Sequence, residues 1–595
     1  MTVIDRLRGN LPLFLIWLAV CALLIVVSFD QIASGIGWGP DDQLRQVQLR
    51  DWLAGQSWLD TTQYRIAEPD SQPMHWPRLI ELPLAFVILM LGPIIGANAA
   101  EIAAMTIIPL VALGIAMWLV AKIAGELFDR KVAQLSAALT ATAVSAIAQL
   151  RPMRIDHHGW QIVLALVALW TMFWPDKRKA GCIMGSALAL WLSISLEGLP
   201  LSIAFIALLA WRWIISLHEG VRLFWTLIGF LGGSILLYLG NHGQFDVALN
   251  YCDAIAPAHL MACAAGAIVI LPAIKFSPDS WLVRLIALIV AGIAALSIFY
   301  TSAPQCVGSA FGQLDPLVRD YWLINVREGL PIWDQPGREI ISLFGGSIIV
   351  GLGSLVFIKW RRPDAADNDK LFLLAYALLW AFIVSLLVQR AAAVAAVYAL
   401  PFLGWAVHHA FIGARQIKRL ASRILATAAV VFLILPGPLF LGLVNGISGG
   451  DEDGDEVALD DKLICDSHTS LERLNAFPRS NIIAPFDFGP EILVQTPHNI
   501  LATSHHRNDA AMADQIRIFT SDPEAARDLI EARHIRYIVA CPDEPELSMY
   551  GSKHPDGLWA KLSKKEQPLW LESVHLRDSG LIIWRVVPKE LRNEL

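Results

Sequence analysis

Charge is scarce in this sequence. Only 17% of its 595 residues are Asp, Glu, Lys or Arg, against 55% hydrophobic residues and a mean hydropathy of +0.52. That shortage excludes an ordinary soluble protein and leaves a polytopic membrane protein. Basic excess is missing too: the net charge is -7, and Lys and Arg fall in short clumps between apolar runs, which argues against a nucleic-acid-binding face. The seven cysteines form no CxxC or zinc-type spacing. The C-terminal region has no GxGxxG, no P-loop and no nucleophile elbow, and no internal repeat or low-complexity segment stands out.

The sequence is organised by its apolar runs. The first, residues 11–29, is longer than a signal-peptide core and lacks a small-residue cleavage site, so it reads as a transmembrane anchor. Arg6 and Arg8 precede it and place the N-terminus in the cytoplasm. The run 80–95 carries Pro83, Gly92 and Pro93 and reads as a full span or as a helix at the interface. Charge chooses the second. With 80–95 interfacial, 103–121 runs inward, 132–148 runs out, and the basic groups Lys122, Arg130, Lys131 and Lys177 to Lys179 all face the cytoplasm. Further spans are expected near 160–174, 180–196, 199–215, 223–240, 259–274, 281–300, 340–358, 371–387, 391–412 and 424–443. Their cytoplasmic turns collect Arg212 and Arg222, Lys275 and Arg284, and Arg415 to Arg423. The expectation is a polytopic α-helical membrane domain over 1–444, about thirteen spans in all, with external loops 30–79, 149–159, 241–258 and 301–338. An acidic, Gly-rich linker, GGDEDGDEV, then leads to an external domain over 445–595. There NIIAPFD, NILATS, IRYIVAC and GLIIWRVV read as strands, and SDPEAARDLIEARH reads as a helix opened by a Ser/Asp cap, which gives an α/β domain.

The stretch RPMRIDHHGWQ, residues 151–161, sets a charged cluster at the mouth of an apolar span, where ions must be paired, hydrated or coordinated. Asp156 and His158 lie two apart, so on an extended segment they point the same way and could share one cation. Asp41 and Asp42, just past the first span, supply a further ligand and a base, and the topology above brings both stretches to one face. The competing reading makes Asp41 and Asp42 the cap of a helix beginning at Gln43 and leaves His157 and His158 as interfacial residues. Arg390, at the outer end of a span, reads as a fork for a lipid phosphate or as a side chain snorkelling to the headgroups. Glu197 sits in an external hairpin as a metal or sugar ligand, or as a plain turn carboxylate. His75, Trp76 and Arg78 join an aromatic surface to a cation, an arrangement that an interfacial belt also explains. In SHHRND, His505, His506 and Arg507 face a substrate or form a solvated loop. Cys252 and Cys306 fall in two external loops, as a disulfide or as two thiols, and Cys465 and Cys541 raise the same pair of readings.

An acidic pair after the first span, Asp-His-His before a later one, many spans and an external domain together resemble the GT-C superfamily of membrane glycosyltransferases. The resemblance is to the catalytic subunits of oligosaccharyltransferases, with GPDDQ in the first motif position and Asp156 to His158 in the second. It implies transfer of a sugar or oligosaccharide from a polyprenyl-phosphate-linked donor to a glycan, lipid or protein acceptor. The setting it implies is the external face of a bacterial inner membrane, with the C-terminal domain periplasmic and membrane lipids as partners. A divalent metal, Mn²⁺ or Mg²⁺, would be held by Asp42, Asp156 and His158, with Asp42 or Asp41 as base; ligand type also admits zinc. Glu328 takes the place of the family's loop carboxylate. The family's WWDYG-type motif is missing, which favours an acceptor other than a protein sequon. A transporter or flippase of lipid-linked glycans is the rival; it would carry ionisable groups at mid-membrane, whereas the acids here stand at the rim.

Overall fold

The computed structural model describes residues 3–242, 248–276, 279–361, 368–434, 471–541, 544–576 and 580–589. They fall into two compact units. The first draws on Met1–Ile32, Trp76–Gly312 and Val326–Gly450 and is helical. Among the described residues nine helices are long and apolar enough to cross a membrane, and three shorter apolar helices lie within Leu11–Val27, His158–Thr171 and Leu420–Phe432. Arg78–Ile95 is one of the nine by length and composition. Of the last expected span, residues 435–443 lie outside the described residues, as do the acidic linker and Cys465.

Most helix limits follow from local chemistry. The helix Leu199–Ile215 coincides with its apolar run, and Lys177–Ile194 opens where the Asp176 side chain accepts the N–H groups of Arg178 and Lys179. The expected outward span 132–148 is instead divided into Arg130–Ala138, a 3₁₀ turn over Leu139–Thr142 and a short helix Val144–Ile147. Here one hydroxyl of LTATAVS competes for the local backbone: Thr142 Oγ1 donates to Leu139 O at 2.9 Å.

Small residues let the helices approach closely. A Cβ on Gly181 would lie 2.4 Å from Arg222 O, and one on Gly185 2.2 Å from Thr226 O. Lys177–Ile194 and Gly220–Asn241 therefore touch backbone to backbone, as small residues spaced by four permit in membranes. The Ala-rich helix Ala392–Arg415 is mostly buried, and its Tyr398 hydroxyl donates to Ala165 O at 2.7 Å. Cys252 and Cys306 are joined by a disulfide, with Cα atoms 5.1 Å apart.

The second unit draws on Ala33–His75, Gln313–Asn325 and Asp451–Leu595. Its centre is a five-stranded sheet in the order β2-β1-β3-β5-β4, with β1 Asn481–Ile483, β2 Asn499–Ile500, β3 Ile535–Ala540, β4 Leu571–Val574 and β5 Ile582–Val586. β1 runs parallel to β2 and β3, while β5 runs antiparallel to β3 and β4. The helix Gly489–Gln495 links β1 to β2, and Pro523–Ala532 is capped by Asp522, which accepts the Glu524 N–H at 3.0 Å. The segment Ala33–His75 belongs to this unit through its main chain: Ala67 N–H donates to Ile500 O, and Ile500 N–H to Arg65 O. The Arg65 guanidinium donates to the carbonyls of Leu493 at 2.8 Å, of His498 and of Thr496. Arg50 reaches Val494 O at 2.6 Å. Two arginines thus satisfy the orphan carbonyls at the end of Gly489–Gln495.

Glu546 accepts the Phe486 N–H at 2.7 Å and the Tyr550 hydroxyl at 2.8 Å. Burial pushes its carboxyl up to about 8, against the pull of those two hydrogen bonds. Between the ordinary value of 4.5 and about 8 only the folded chain holds this proton, so unfolding releases it and stability falls as pH rises through that window. Hydrogen exchange at residues 535–541 in the full chain should quicken from pH 5 to pH 8, beyond the intrinsic chemical rate, and Glu546→Gln should flatten that dependence. An equally steep dependence in the variant would assign the effect elsewhere.

Candidate active site

The segment between Ile147 and His158 turns sharply. Met153 takes a left-handed φ of 68°, and its N–H donates to Met105 O at 2.9 Å. Such a conformation costs a non-glycine residue about 1–2 kcal/mol and persists where the surroundings hold it. A Cβ on Gly159 would lie 2.8 Å from Gln149 O, so the helix His158–Thr171 starts hard against this turn.

Asp156 is buried there. Its Oδ1 accepts the His158 N–H at 2.9 Å. Its Oδ2 lies 2.9 Å from Arg154 Nη2 and 3.0 Å from His158 Nδ1. Burial alone would push this carboxyl up, but Arg154 and His158 reverse the effect and hold it well below the usual carboxylate range. The contact to Nδ1 leaves Nε2 of His158 facing Glu197, 3.6 Å from its Oε2. His157 stacks on His158 with ring centres 4.2 Å apart, and its Nε2 lies 4.0 Å from the same oxygen. Trp76 covers His157 at 5.7 Å.

Glu197 stands in the turn Leu196–Gly198 between two helices. Gln161 donates to its Oε2 at 3.1 Å, and Gln161 in turn accepts the Trp191 indole N–H at 3.0 Å. The other oxygen, Oε1, lies 2.7 Å from Nη1 of Arg390, which opens the central helix from the turn Gln389–Ala391. Arg390 Nη1 is also 3.6 Å from Glu328 Oε1. One network therefore joins Asp156, His157, His158, Glu197, Glu328 and Arg390.

The ligand atoms of His157, His158 and Glu197 all lie within 4.8 Å of one another. Around a first-row ion with bonds of roughly 2.0–2.2 Å, tetrahedral ligand atoms stand about 3.4 Å apart, so a small contraction brings this trio onto one divalent ion. The Asp156 contact to Nδ1 is the outer-shell support that metal-binding histidines use. The donor set, two imidazoles and a carboxylate, suits zinc or manganese.

Of the ligands expected from sequence, His158 belongs to the trio and Asp156 stands behind it. Asp41 and Asp42 lie in the second unit, in the first turn of the helix Pro40–Leu53. Asp42 is buried and its Oδ2 accepts the Gly39 N–H at 3.2 Å, so it takes part in the cap of a helix that starts three residues earlier than expected. A Cβ on Gly37 would lie 2.3 Å from Cβ of Asp42, which makes glycine obligatory there. His75 is also in the second unit, its ring 4.4 Å from that of His506, and Arg507 follows in the turn His506–Asn508. Arg78 is buried against Glu81 at 3.3 Å. Sequence reading passed over three members of the site: His157 as a ligand, Gln161 and Trp191. A polar Gln161 one turn into an apolar helix was the available signal. It also passed over Phe486-Asp487-Phe488-Gly489, an aromatic-acid-aromatic-glycine run between β1 and the helix Gly489–Gln495.

No protein-family model matches the chain, and comparison with curated proteins finds no match. Solved structures do match. The archaeal oligosaccharyltransferase AglB from Archaeoglobus fulgidus, in complex with an inhibitory peptide and a dolichol-phosphate, is similar with a TM-score of 0.62 at 15% identity, over 91% of this chain and 70% of that one. The Archaeoglobus fulgidus enzyme tethered with an acceptor peptide containing the NVT sequon gives 0.61 at 14% identity, over 96% and 74%. Its complex with Zn and sulfate gives 0.58 at 14% identity over the same shares, 96% and 74%. The chain shares the fold of these structures.

Replacing Gln161 by Leu strands the buried Trp191 N–H and removes a donor from Glu197. A loss of about 1–3 kcal/mol in stability is expected, read as a lower melting temperature of the purified protein in detergent. An unchanged melting temperature would mean that the Trp191-Gln161-Glu197 chain holds nothing in place.

Proposed function

We propose that this protein is a membrane glycosyltransferase. It moves a sugar or oligosaccharide from a polyprenyl-phosphate-linked donor to a glycan, lipid or protein acceptor, with help from a divalent cation, at the external face of a cell inner membrane. The observation that carries the reading is the joining of Asp156, His157, His158, Glu197 and Arg390 in one network, within a fold shared with a protein whose structures include dolichol-phosphate, an acceptor peptide and zinc.

The residues divide the work as follows. Arg390 offers its fork to the donor phosphate, a geometry that lysine lacks. His157, His158 and Glu197 would hold the cation, and Asp156 keeps His158 in the tautomer that presents Nε2. A divalent ion held there would neutralise the charge that builds on the departing phosphate. Glu328 is the loop carboxylate beside Arg390. Asp42 or Asp41 serves as the base, accepting the proton of the acceptor hydroxyl as the glycosyl bond forms.

Purified protein should transfer labelled sugar from a polyprenyl-phosphate donor; EDTA should slow that transfer by removing the cation, and Asp156→Asn should slow it by about 10- to 100-fold, the scale of a lost outer-shell support. Asp42→Asn should cost about 100-fold or more as the loss of a general base. Turnover untouched by all three would sink the assignment. Movement of intact donor across vesicles without transfer would favour the flippase.

A further inference from the structure

One carboxylate in the network faces two ways. Glu197 gives Oε1 to Arg390 at 2.7 Å and turns Oε2 toward His158 and His157, at 3.6 and 4.0 Å. The group that would complete a cation site is therefore the group that now occupies the phosphate-binding arginine. We infer that Glu197 couples the two ligands: a divalent cation on the histidine side loosens its hold on Arg390 and so raises affinity for a phosphate. This rests on the roles proposed above for Arg390 and the trio.

Charge explains the sign. Counting carboxylates and guanidinium groups alone, Asp156, Glu197 and Glu328 stand against Arg154 and Arg390. Those groups alone carry an excess of one negative charge, which disfavours an anion. A divalent cation reverses that excess to one positive charge. It also shares the Glu197 electron density, so the charge-assisted bond to Arg390 weakens when the phosphate needs that donor. Gln161, which donates to Oε2 at 3.1 Å, keeps the carboxylate between the two partners instead of letting it swing fully to either. Glu328, at 3.6 Å from the same Nη1, makes a longer contact with Arg390 than Glu197 does.

Coupling of this kind is reciprocal: if the cation tightens phosphate binding, phosphate must tighten cation binding by the same factor. The purified full chain in detergent is titrated with polyprenyl monophosphate, and separately with inorganic phosphate, with and without saturating Mn²⁺, and with Mn²⁺ with and without phosphate. Wild-type protein should bind phosphate about tenfold more tightly with Mn²⁺ present, within the range usual for coupled sites, and the reverse titration should return the same factor. Glu197→Gln, which keeps the shape and removes the charge, should bind phosphate without Mn²⁺ more tightly than wild type does and show less than about a twofold response to Mn²⁺. Coupling with the polyprenyl compound alone would assign the anion to the lipid carrier. Coupling with inorganic phosphate as well would assign it to the phosphate group itself.

Phosphate affinity in wild type that ignores Mn²⁺ would overturn the inference and leave the glycosyltransferase reading standing. Full coupling retained in Glu197→Gln would overturn the role of Glu197. Failure of either phosphate to bind under any condition would count against Arg390 as the anion site, and so against the proposed function itself. The wild-type titration decides the matter even if the variant does not fold.

Discussion

The ion pair between Asp156 and Arg154 is the constraint on which the first unit's chemistry depends. A carboxylate buried beside apolar helices loses its hydration, and removing one partner from such a pair typically costs 3–5 kcal/mol. Arg154, at 2.9 Å, supplies the compensating charge. With that charge in place, Asp156 has a second lone pair to spend on His158 Nδ1, at 3.0 Å, and a second oxygen for the His158 N–H. The imidazole is then fixed in orientation at the first residue of its helix. From there the order propagates: His157 stacks on His158, both turn toward Glu197, and Glu197 meets Arg390.

Much of this was legible in the sequence, residue by residue. Asp156 and His158 were visible because a charged motif beside an apolar run has few bland explanations. Arg390 and Glu197 stood out at the ends of apolar runs, and Glu328 through the family resemblance alone. Their meeting was not legible, since it depends on three turns being brought to the same end of a helical unit by backbone contacts such as those at Gly181 and Gly185. The expected sharing of a cation by Asp156 and His158 assumed an extended segment. The chain instead passes directly into a helix at His158, which turns Asp156 behind the imidazole.

The helices show the same division. Leu199–Ile215 could be read at both ends because its apolar run stops where the helix stops. Residues 132–148 could not, because hydrophobicity continues through LTATAVS while the helix gives way to a 3₁₀ turn at Leu139–Thr142. In the second unit four strands were anticipated, and β4 was not, its Leu-Glu-Ser-Val carrying no strong alternation. The placement of Ala33–His75 in that unit had no sequence signature at all. Its ties include backbone bonds with Ile500 and arginine bonds to main-chain carbonyls, and main-chain groups are the same for nearly every residue type. The first unit uses the device as well: Arg222 donates to Thr171 O at 2.6 Å and Arg284 to Ile214 O at 2.7 Å. Arginines that a topology argument counts only as charge are also closing helix ends.

The central claim is that the trio His157, His158 and Glu197 is where a divalent ion sits. Anomalous diffraction from crystals grown with zinc or manganese, recorded at the absorption edge of that metal, tests it most directly. A peak within about 2.0–2.3 Å of His158 Nε2, with His157 Nε2 and Glu197 Oε2 as its other protein ligands, is the result the account predicts. A fully occupied peak elsewhere, with His158 and Glu197 left uncoordinated, would contradict it.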